Sequence, residues 1–329
     1  MKRKKYMIVI WVAILLLVLF WFYNKNSGSV TKMDHSQAEN VYVEDFGANG
    51  EDSKDDSRAI QKAINFSKKS NIGKVKLVGN KNYIIQKGIV IEEGVELEFG
   101  QNTRLMVEGN FRVIEVEKNA SISNGIIEIV DKDFDSDVIY LDGKQRFWSW
   151  ERTQIQNVTI INSSNSHRGI GLHLYAAELD DYICFVNFTN INIAGFHTGV
   201  KLEAEKPQSN RSKNFINGNR FINLTLDDLV RGIDIDSAVG PPNESSGNIF
   251  SGLQIQISPS TEKVLTVNGS DNRFEGMIWD VQLLKRGNEI IEFGKESARN
   301  DFYSNLEAEY ILDKGTQNYY SSPENKANQ

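Results

Sequence analysis

One motif returns along most of the chain: a residue that tolerates a left-handed backbone, followed by alternating apolar residues. It reads Gly125-Ile-Ile, Asn157-Val-Thr-Ile, Asn190-Ile-Asn-Ile, Asn223-Leu-Thr-Leu, Gly252-Leu-Gln-Ile, Gly276-Met-Ile-Trp and Asn305-Leu-Glu-Ala, at intervals of 24 to 33 residues. A second pattern follows each of the first six copies: Val138-Ile-Tyr-Leu, Gly169-Ile-Gly-Leu, Gly199-Val-Lys-Leu, Gly232-Ile-Asp-Ile, Val264-Leu-Thr-Val and Glu289-Ile-Ile-Glu-Phe. A third, Asn-x-Phe, recurs as Asn219-Arg-Phe221, Asn248-Ile-Phe250 and Asn272-Arg-Phe274, with Asp301-Phe302 as a partial copy. Short strands repeating at such a period mark a solenoid. Asn and Gly are the residues that best accept the sharp corner between strands. No helical period separates the strands, so βαβ folds and leucine-rich horseshoes fit poorly. A two-layer sandwich would not explain one corner residue per coil. The pattern predicts an all-β, right-handed parallel β-helix of about eight coils over residues 41–315, with 316–329 as a flexible tail.

The segment at 41–66, VYVEDFGANGEDSKDDSRAIQKAINF, opens this domain. Asp56 or Ser57 is a good helix N-cap, and Ala59, Ile60, Ala63 and Ile64 form one apolar stripe. A short amphipathic helix near 57–69 follows, then strands at Lys74–Val78, Tyr83–Ile85, Gly88–Ile91 and Val95–Phe99. Val43, Asp45, Phe46, Gly47, Ala48, Gly50, Asp55, Asp56, Ser57, Ala59, Ile60, Gln61, Ala63 and Ile64 together resemble the N-terminal signature of the pectate-lyase-like superfamily, which includes polygalacturonase relatives and phage tailspikes. The resemblance implies that the helix covers the open end of the β-helix, with Asp45, Asp55 and Asp56 as capping and turn residues. Glu51-Asp52-Ser53 departs from the usual Asp-Gly pair, and Leu77-Val78-Gly79-Asn80 lacks a common proline. The enzymes of that superfamily carry motifs absent from this chain: no Asn-Thr-Asp, Gly-His-Gly, Arg-Ile-Lys or Arg-x-Pro-x-x-Arg occurs. The match therefore speaks for the fold more than for pectin chemistry.

Residues 1–5 are a basic segment (Lys2, Arg3, Lys4, Lys5), and Tyr6–Tyr23 is an apolar run long enough to span a bilayer. Its far end, Phe20-Trp21-Phe22-Tyr23, suits an interfacial aromatic belt. An uncleaved transmembrane signal anchor over 6–23 is expected, with the N-terminus cytoplasmic and the β-helix extracytoplasmic. A cleaved signal peptide is the rival reading, but bulky aromatics stand where small residues belong. Residues 24–40 read as a polar linker.

Composition narrows the partners. Residues 1–33 carry six Lys/Arg and no acid, leaving 31 basic against 44 acidic residues in the remainder. So acidic a domain is a poor nonspecific nucleic-acid binder. The single cysteine, Cys184, can form no internal disulfide. No cofactor is expected, and the oligomeric state is unreadable.

Stacked coils turn outward positions into files. Aligning the second pattern on its glycines gives one file of Tyr140, Gly171, Lys201, Asp234, Thr266 and Glu292, and a neighbour of Asp142, His173, Glu203, Asp236 and Asn268. Ile170, Leu172, Val200, Leu202, Ile233 and Ile235 are expected to point inward. Glu203 beside Asp236, with His173 and Asp142 in file, is the candidate catalytic group. Stacked carboxylates should share a raised pKa, as a general acid needs. Glu203 with Asp142 or Asp227 would give a wider pair. Lys201 is expected to neutralise Asp234. Trp148 and Trp150, in the interrupting loop Arg146-Phe-Trp-Ser-Trp-Glu151, are candidate sugar-stacking residues. Arg168 and Arg231, expected at one corner two coils apart, and Lys201 are candidate contacts to an anionic glycan. Asp180-Asp181 and Asp227-Asp228 are alternative acidic pairs. Asp131, Asp133, Asp135 and Asp137 suit a solvated turn better than a calcium loop, and His197 suits a corner. The reading is a glycoside hydrolase or polysaccharide lyase facing a cell-surface glycan. A non-catalytic glycan-binding or scaffold protein is the alternative.

Overall fold

The computed structural model describes residues 39–206, 213–237, 244–284 and 287–321. The expected anchor and linker fall almost wholly outside them. Among the described residues no helix is long and apolar enough to cross a membrane.

The described chain is an all-β parallel solenoid of the right-handed type, about seven turns long against the eight expected. Its single α-helix, Ser57–Lys69, falls where the apolar stripe placed it. Ile60, Ala63 and Ile64 are fully buried, and the helix packs on Lys74–Leu77 and Ile89–Ile91 of the first coil. Asp56 precedes it, but its carboxylate accepts the backbone N–H groups of Asn49 and Gly50 rather than capping the helix. It thus pins the signature loop.

Each coil runs through a long sheet, a second sheet and, in the middle coils, a short third sheet of Tyr182–Cys184, Phe215–Asn217 and Ser245–Ser246. The long sheet bends at the corner residues. In Gln154–Asn162, Gln154–Gln156 pairs with Ser121–Ser123 and Thr159–Asn162 pairs with Ile126–Ile129, on either side of Asn157. Asn157, Asn190 and Asn223 have φ of 54°, 55° and 56°, the left-handed conformation that Asn tolerates because its side chain bonds locally. They stack: each donates its amide N–H to the Oδ1 of the asparagine one coil before, at 2.9–3.0 Å, starting from Asn124.

A second ladder is buried. Asn219, Asn248, Asn272 and Asn300 are at most 1% exposed. Each donates to the Oδ1 of the next and to a backbone carbonyl. Each Oδ1 from Asn248 onward also accepts the backbone N–H of the asparagine one coil earlier. These are the Asn-x-Phe positions. Two residues on, Phe221, Phe250 and Phe274 stack inside the core with centroids 4.2–5.0 Å apart, and Phe188 continues the file 4.5 Å from Phe221. The motif therefore pairs one satisfied polar file with one apolar file.

The solenoid also extends past Gly315, where a tail was expected. Tyr319–Ser321 forms a strand paired with Asp301–Tyr303. Cys184 is buried, and burial pushes its thiol up to about 12, which makes it unreactive in the folded chain.

The two ladders differ in cost of loss. Asn248→Leu strands two buried donors and a buried carbonyl, at about 1–3 kcal/mol each. It should lower unfolding free energy by more than about 3 kcal/mol. Asn157→Ala, at an exposed corner, loses about 1–2 kcal/mol of backbone preference. Urea denaturation of the two variants checks the order.

Candidate functional site

The second sheet presents outward files different from those expected. Its register pairs Tyr140 with His173, His173 with Lys201, and Lys201 with Asp234. The next file is Asp142, Tyr175, Glu203 and Asp236. His173 thus stands in file with Lys201, and Gly171 is not in that file at all. The glycine that aligns with Gly199 and Gly232 is Gly171, not Gly169. A Cβ on Gly171 would lie 2.9 Å from the Gly199 carbonyl, and one on Gly199 would lie 2.8 Å from that of Gly232. This close stacking, not the corner, selects the glycine. Ile170 accordingly turns outward, while Leu172 and Leu174 point into the core. Arg231 stands in file with Ile170 and Thr198, so Arg168, two residues before Ile170, does not share its corner.

His173 is buried and bridges two acids. Its Nδ1 lies 2.9 Å from Asp137 and its Nε2 3.1 Å from Glu203. Lys201 reaches Glu203 at 2.7 Å. Arg112 lies 3.4 Å from Asp137 and stacks its guanidinium 3.4 Å over the Tyr140 ring. Burial works against a charge on His173, but the bonds to Asp137 and Glu203 outweigh it and raise its pKa. The His173 bond, assisted by Lys201 and opposed by burial, holds Glu203 down to about 2. The expectation of a shared raised pKa at Glu203 and Asp236 is therefore wrong for Glu203. Its carboxylate meets cations before it meets another acid.

Lys201 is also not the partner of Asp234. No hydrogen bond or ion pair to the Asp234 carboxylate occurs among the described residues. Burial raises its pKa, with Asp236 adding to the rise and Arg231 and Lys201 opposing it. Asp236, two residues on, is exposed on the same face. Asp234, Lys201, Arg231, His197, Thr198 and Asp137 line one open cavity of about 540 Å³. His197, expected as a corner residue, is at its rim and bonds Thr198.

Other candidates are engaged elsewhere. Asp142 accepts the Lys144 backbone N–H and pairs with its ammonium at 3.0 Å, capping a turn. Arg168 pairs with Asp135 at the surface. Asp131 accepts the backbone N–H of Asp133, so this acidic run serves turns and cations. Asp181 accepts the Glu178 N–H, and Asp228 pairs with His167 at 2.9 Å. Trp148 packs edge-on against Tyr182 and Phe185 over the short sheet. Trp150 leans on it and is 73% exposed. Neither lines the second-sheet cavity.

No protein-family model matches the chain, and no curated protein matches it. Among solved structures it is similar to the mannuronan C-5 epimerase AlgE4 A-module of Azotobacter vinelandii, at 14% identity and a TM-score of 0.43, over 85% of this chain and 88% of that one. It is also similar to the Streptococcus pneumoniae surface protein and adhesin PfbA, at 12% identity and 0.40, over 86% and 97%. A third is the tailspike of Escherichia coli bacteriophage HK620, at 11% identity and 0.40, over 86% and 62%. Likeness of this size concerns architecture.

The charge pattern fixes the pH dependence of stability. Glu203, depressed when folded, stabilises above its unfolded value near 4.5 and loses this as pH falls toward about 2. His173, raised when folded, stabilises fully below its unfolded value near 6.5 and loses this as pH rises through its folded value. Asp234 has the opposite sense to Glu203: its raised pKa destabilises the ionised fold. Glu203→Gln should lower the thermal midpoint at neutral pH by a few degrees, and Asp234→Asn should leave it unchanged or raise it. Differential scanning calorimetry of both variants checks the signs.

Proposed function

We propose that this protein is a polysaccharide-active enzyme of the hydrolase type, with the second-sheet cavity as its active site. The observation that carries this is Asp234, a carboxylate with a raised pKa and no ion partner among the described residues, lining an open cavity beside cations. A carboxyl whose pKa is raised by burial is what a general acid requires. Asp236 is its partner. Alternate residues of a strand stand roughly 6.5–7 Å apart on one face, at the lower edge of the range of about 6.5–9.5 Å that leaves room for an attacking water. Asp234 gives its proton to the glycosidic oxygen as the bond to the anomeric carbon breaks. Asp236 takes a proton from the water that attacks that carbon. Exchange with solvent restores both groups.

Arg231 and His197 face the same cavity and suit hydroxyl or carboxylate groups of the substrate. Lys201, bonded to Glu203, is a fixed cation, and His173 holds Glu203 in place. Trp148 and Trp150 would stack sugar outside the cavity, over the short sheet. The basic segment and apolar run at Lys2–Tyr23 support a membrane-anchored, extracytoplasmic setting in which a cell-surface glycan is the substrate. The reading of non-catalytic glycan binding is favoured by one observation: Glu203 is spent on His173 and Lys201.

Asp234→Asn should lower kcat for release of reducing ends by about 10²-fold or more, with KM little changed. Activity of the parent should fall as pH rises through the Asp234 pKa, placing the optimum on the acid side. A reducing-end assay across a polysaccharide panel reads both. Unchanged turnover in Asp234→Asn would remove the proposed acid. Glycan retention without turnover by the parent would favour binding alone.

A further inference from the structure

The asparagine corner of the long sheet carries a second surface of different character. On one side of it Gln156, Thr189, Ile222 and Ser251 form an outward file. On the other, Thr159, Asn192, Thr225 and Gln254 form another. Asn124, Asn157, Asn190 and Asn223 run between them. As far as Ser251 and Gln254 no residue of this strip is charged, and all but Ile222 bear amides or hydroxyls; on the rung of Trp279 the Ser251 file continues with Glu275, which pairs with Arg273 at 3.3 Å. That contrasts with the second sheet, where every rung from Glu115 to Asp234 carries a charge or a tyrosine.

A cavity of about 640 Å³ opens at the N-terminal end of the strip, lined by Gln101, Asn102, Thr103, Asn124, Asn157 and Thr159, with Glu98 at its edge. Glu98 is held by Lys74 at 2.6 Å, so even this end presents little free charge. At the other end Trp279 is 48% exposed, and its indole N–H is bonded to Gln254 at 2.8 Å.

The chemistry follows from counting donors. A primary amide has two N–H groups and two acceptor lone pairs. Within the ladder Asn157 and Asn190 each spend one N–H on the preceding coil and one lone pair on the next. One donor and one acceptor per rung remain toward solvent. They repeat at the rung spacing of about 4.8 Å, comparable to one pyranose ring. The ladder stops at Gly252, where a side chain would strike the Asn223 amide oxygen at 2.7 Å.

We infer that this strip is a second carbohydrate site, for an extended, uncharged polysaccharide that lies along the asparagine ladder from the 640 Å³ cavity toward Trp279. It supplies paired amide donors and acceptors to hydroxyls and one aromatic face to a sugar ring. It has no acid placed for catalysis between the two files, so it binds and does not cleave. The site is independent of the proposed hydrolysis on the second sheet.

Affinity electrophoresis of the detergent-solubilised full-length chain tests it, with hydroxyethylcellulose, galactomannan and laminarin in separate gels and polygalacturonate as the anionic control. The parent should be retarded by at least one neutral gel. Thr159→Glu with Asn192→Glu should weaken that retardation at least tenfold, and Trp279→Ala should weaken it independently. Circular dichroism confirms that each variant is folded. Arg231→Ala, which removes a substrate contact of the second-sheet cavity, should leave the neutral-gel retardation unchanged, which separates the two sites. No retardation in any neutral gel, equal retardation of parent and strip variants, or loss on Arg231→Ala instead would overturn the inference.

Discussion

A solenoid holds together only if every coil turns the same corner and leaves no buried polar group without a partner. In this chain asparagine meets both demands, in two places and by two routes. At the exposed corner it accepts the left-handed backbone and bonds its neighbour one coil away. In the core, Asn219, Asn248, Asn272 and Asn300 take up backbone N–H and C=O groups that the turns leave orphaned. The desolvation of an unpaired amide is costly, so the buried file tolerates no slip. The phenylalanine stack two residues on supplies apolar burial in the same register. Polar satisfaction and hydrophobic packing therefore select one coil alignment together.

That alignment then decides the electrostatics. Side chains outside the second sheet meet in files, so a lysine has acids on two sides. Lys201 turns to Glu203 on its own strand rather than to Asp234 one rung away. His173 reinforces the choice by approaching Glu203 from the other side. Glu203 is held from two sides, and Asp234 is left to burial. One lysine rotamer thus separates a paired acid from one whose pKa burial raises. The asparagine corner of the long sheet, where amides replace charges, offers no such contrast, and its surface suits hydroxyl groups rather than proton transfer.

The corner positions were legible because a left-handed residue imposes a strict chemical choice at Asn157, Asn190 and Asn223. The helix at Ser57–Lys69 was legible from its apolar stripe. The second-sheet register was not. The connection from Asn157 to Ile170 is longer than those from Asn190 to Thr198 and from Asn223 to Arg231, and two glycines flank Ile170. Only the contact of Gly171 with the Gly199 carbonyl identifies the stacked one, and no local sequence pattern reports a contact between coils. The misalignment moved His173 by one file and hid its place beside Lys201. Asp234 was missed for a different reason: which of two acids captures a lysine depends on rotamers, and the sequence shows only that both are near. Trp148 and Trp150 were recognised as an unusual loop, but nothing in their spacing indicated that they fold over the short sheet.

The register itself is open to direct measurement. Lys201→Cys can be combined with His173→Cys or with Gly171→Cys, and disulfide formation followed under mild oxidation. Residues paired across adjacent parallel strands have Cα atoms within bridging distance, whereas a shift by two residues does not. The unreactive Cys184 does not compete. The account predicts a rapid bridge in the 173/201 pair and none in the 171/201 pair. A bridge in the 171/201 pair alone would contradict the stacking from which both sites were read.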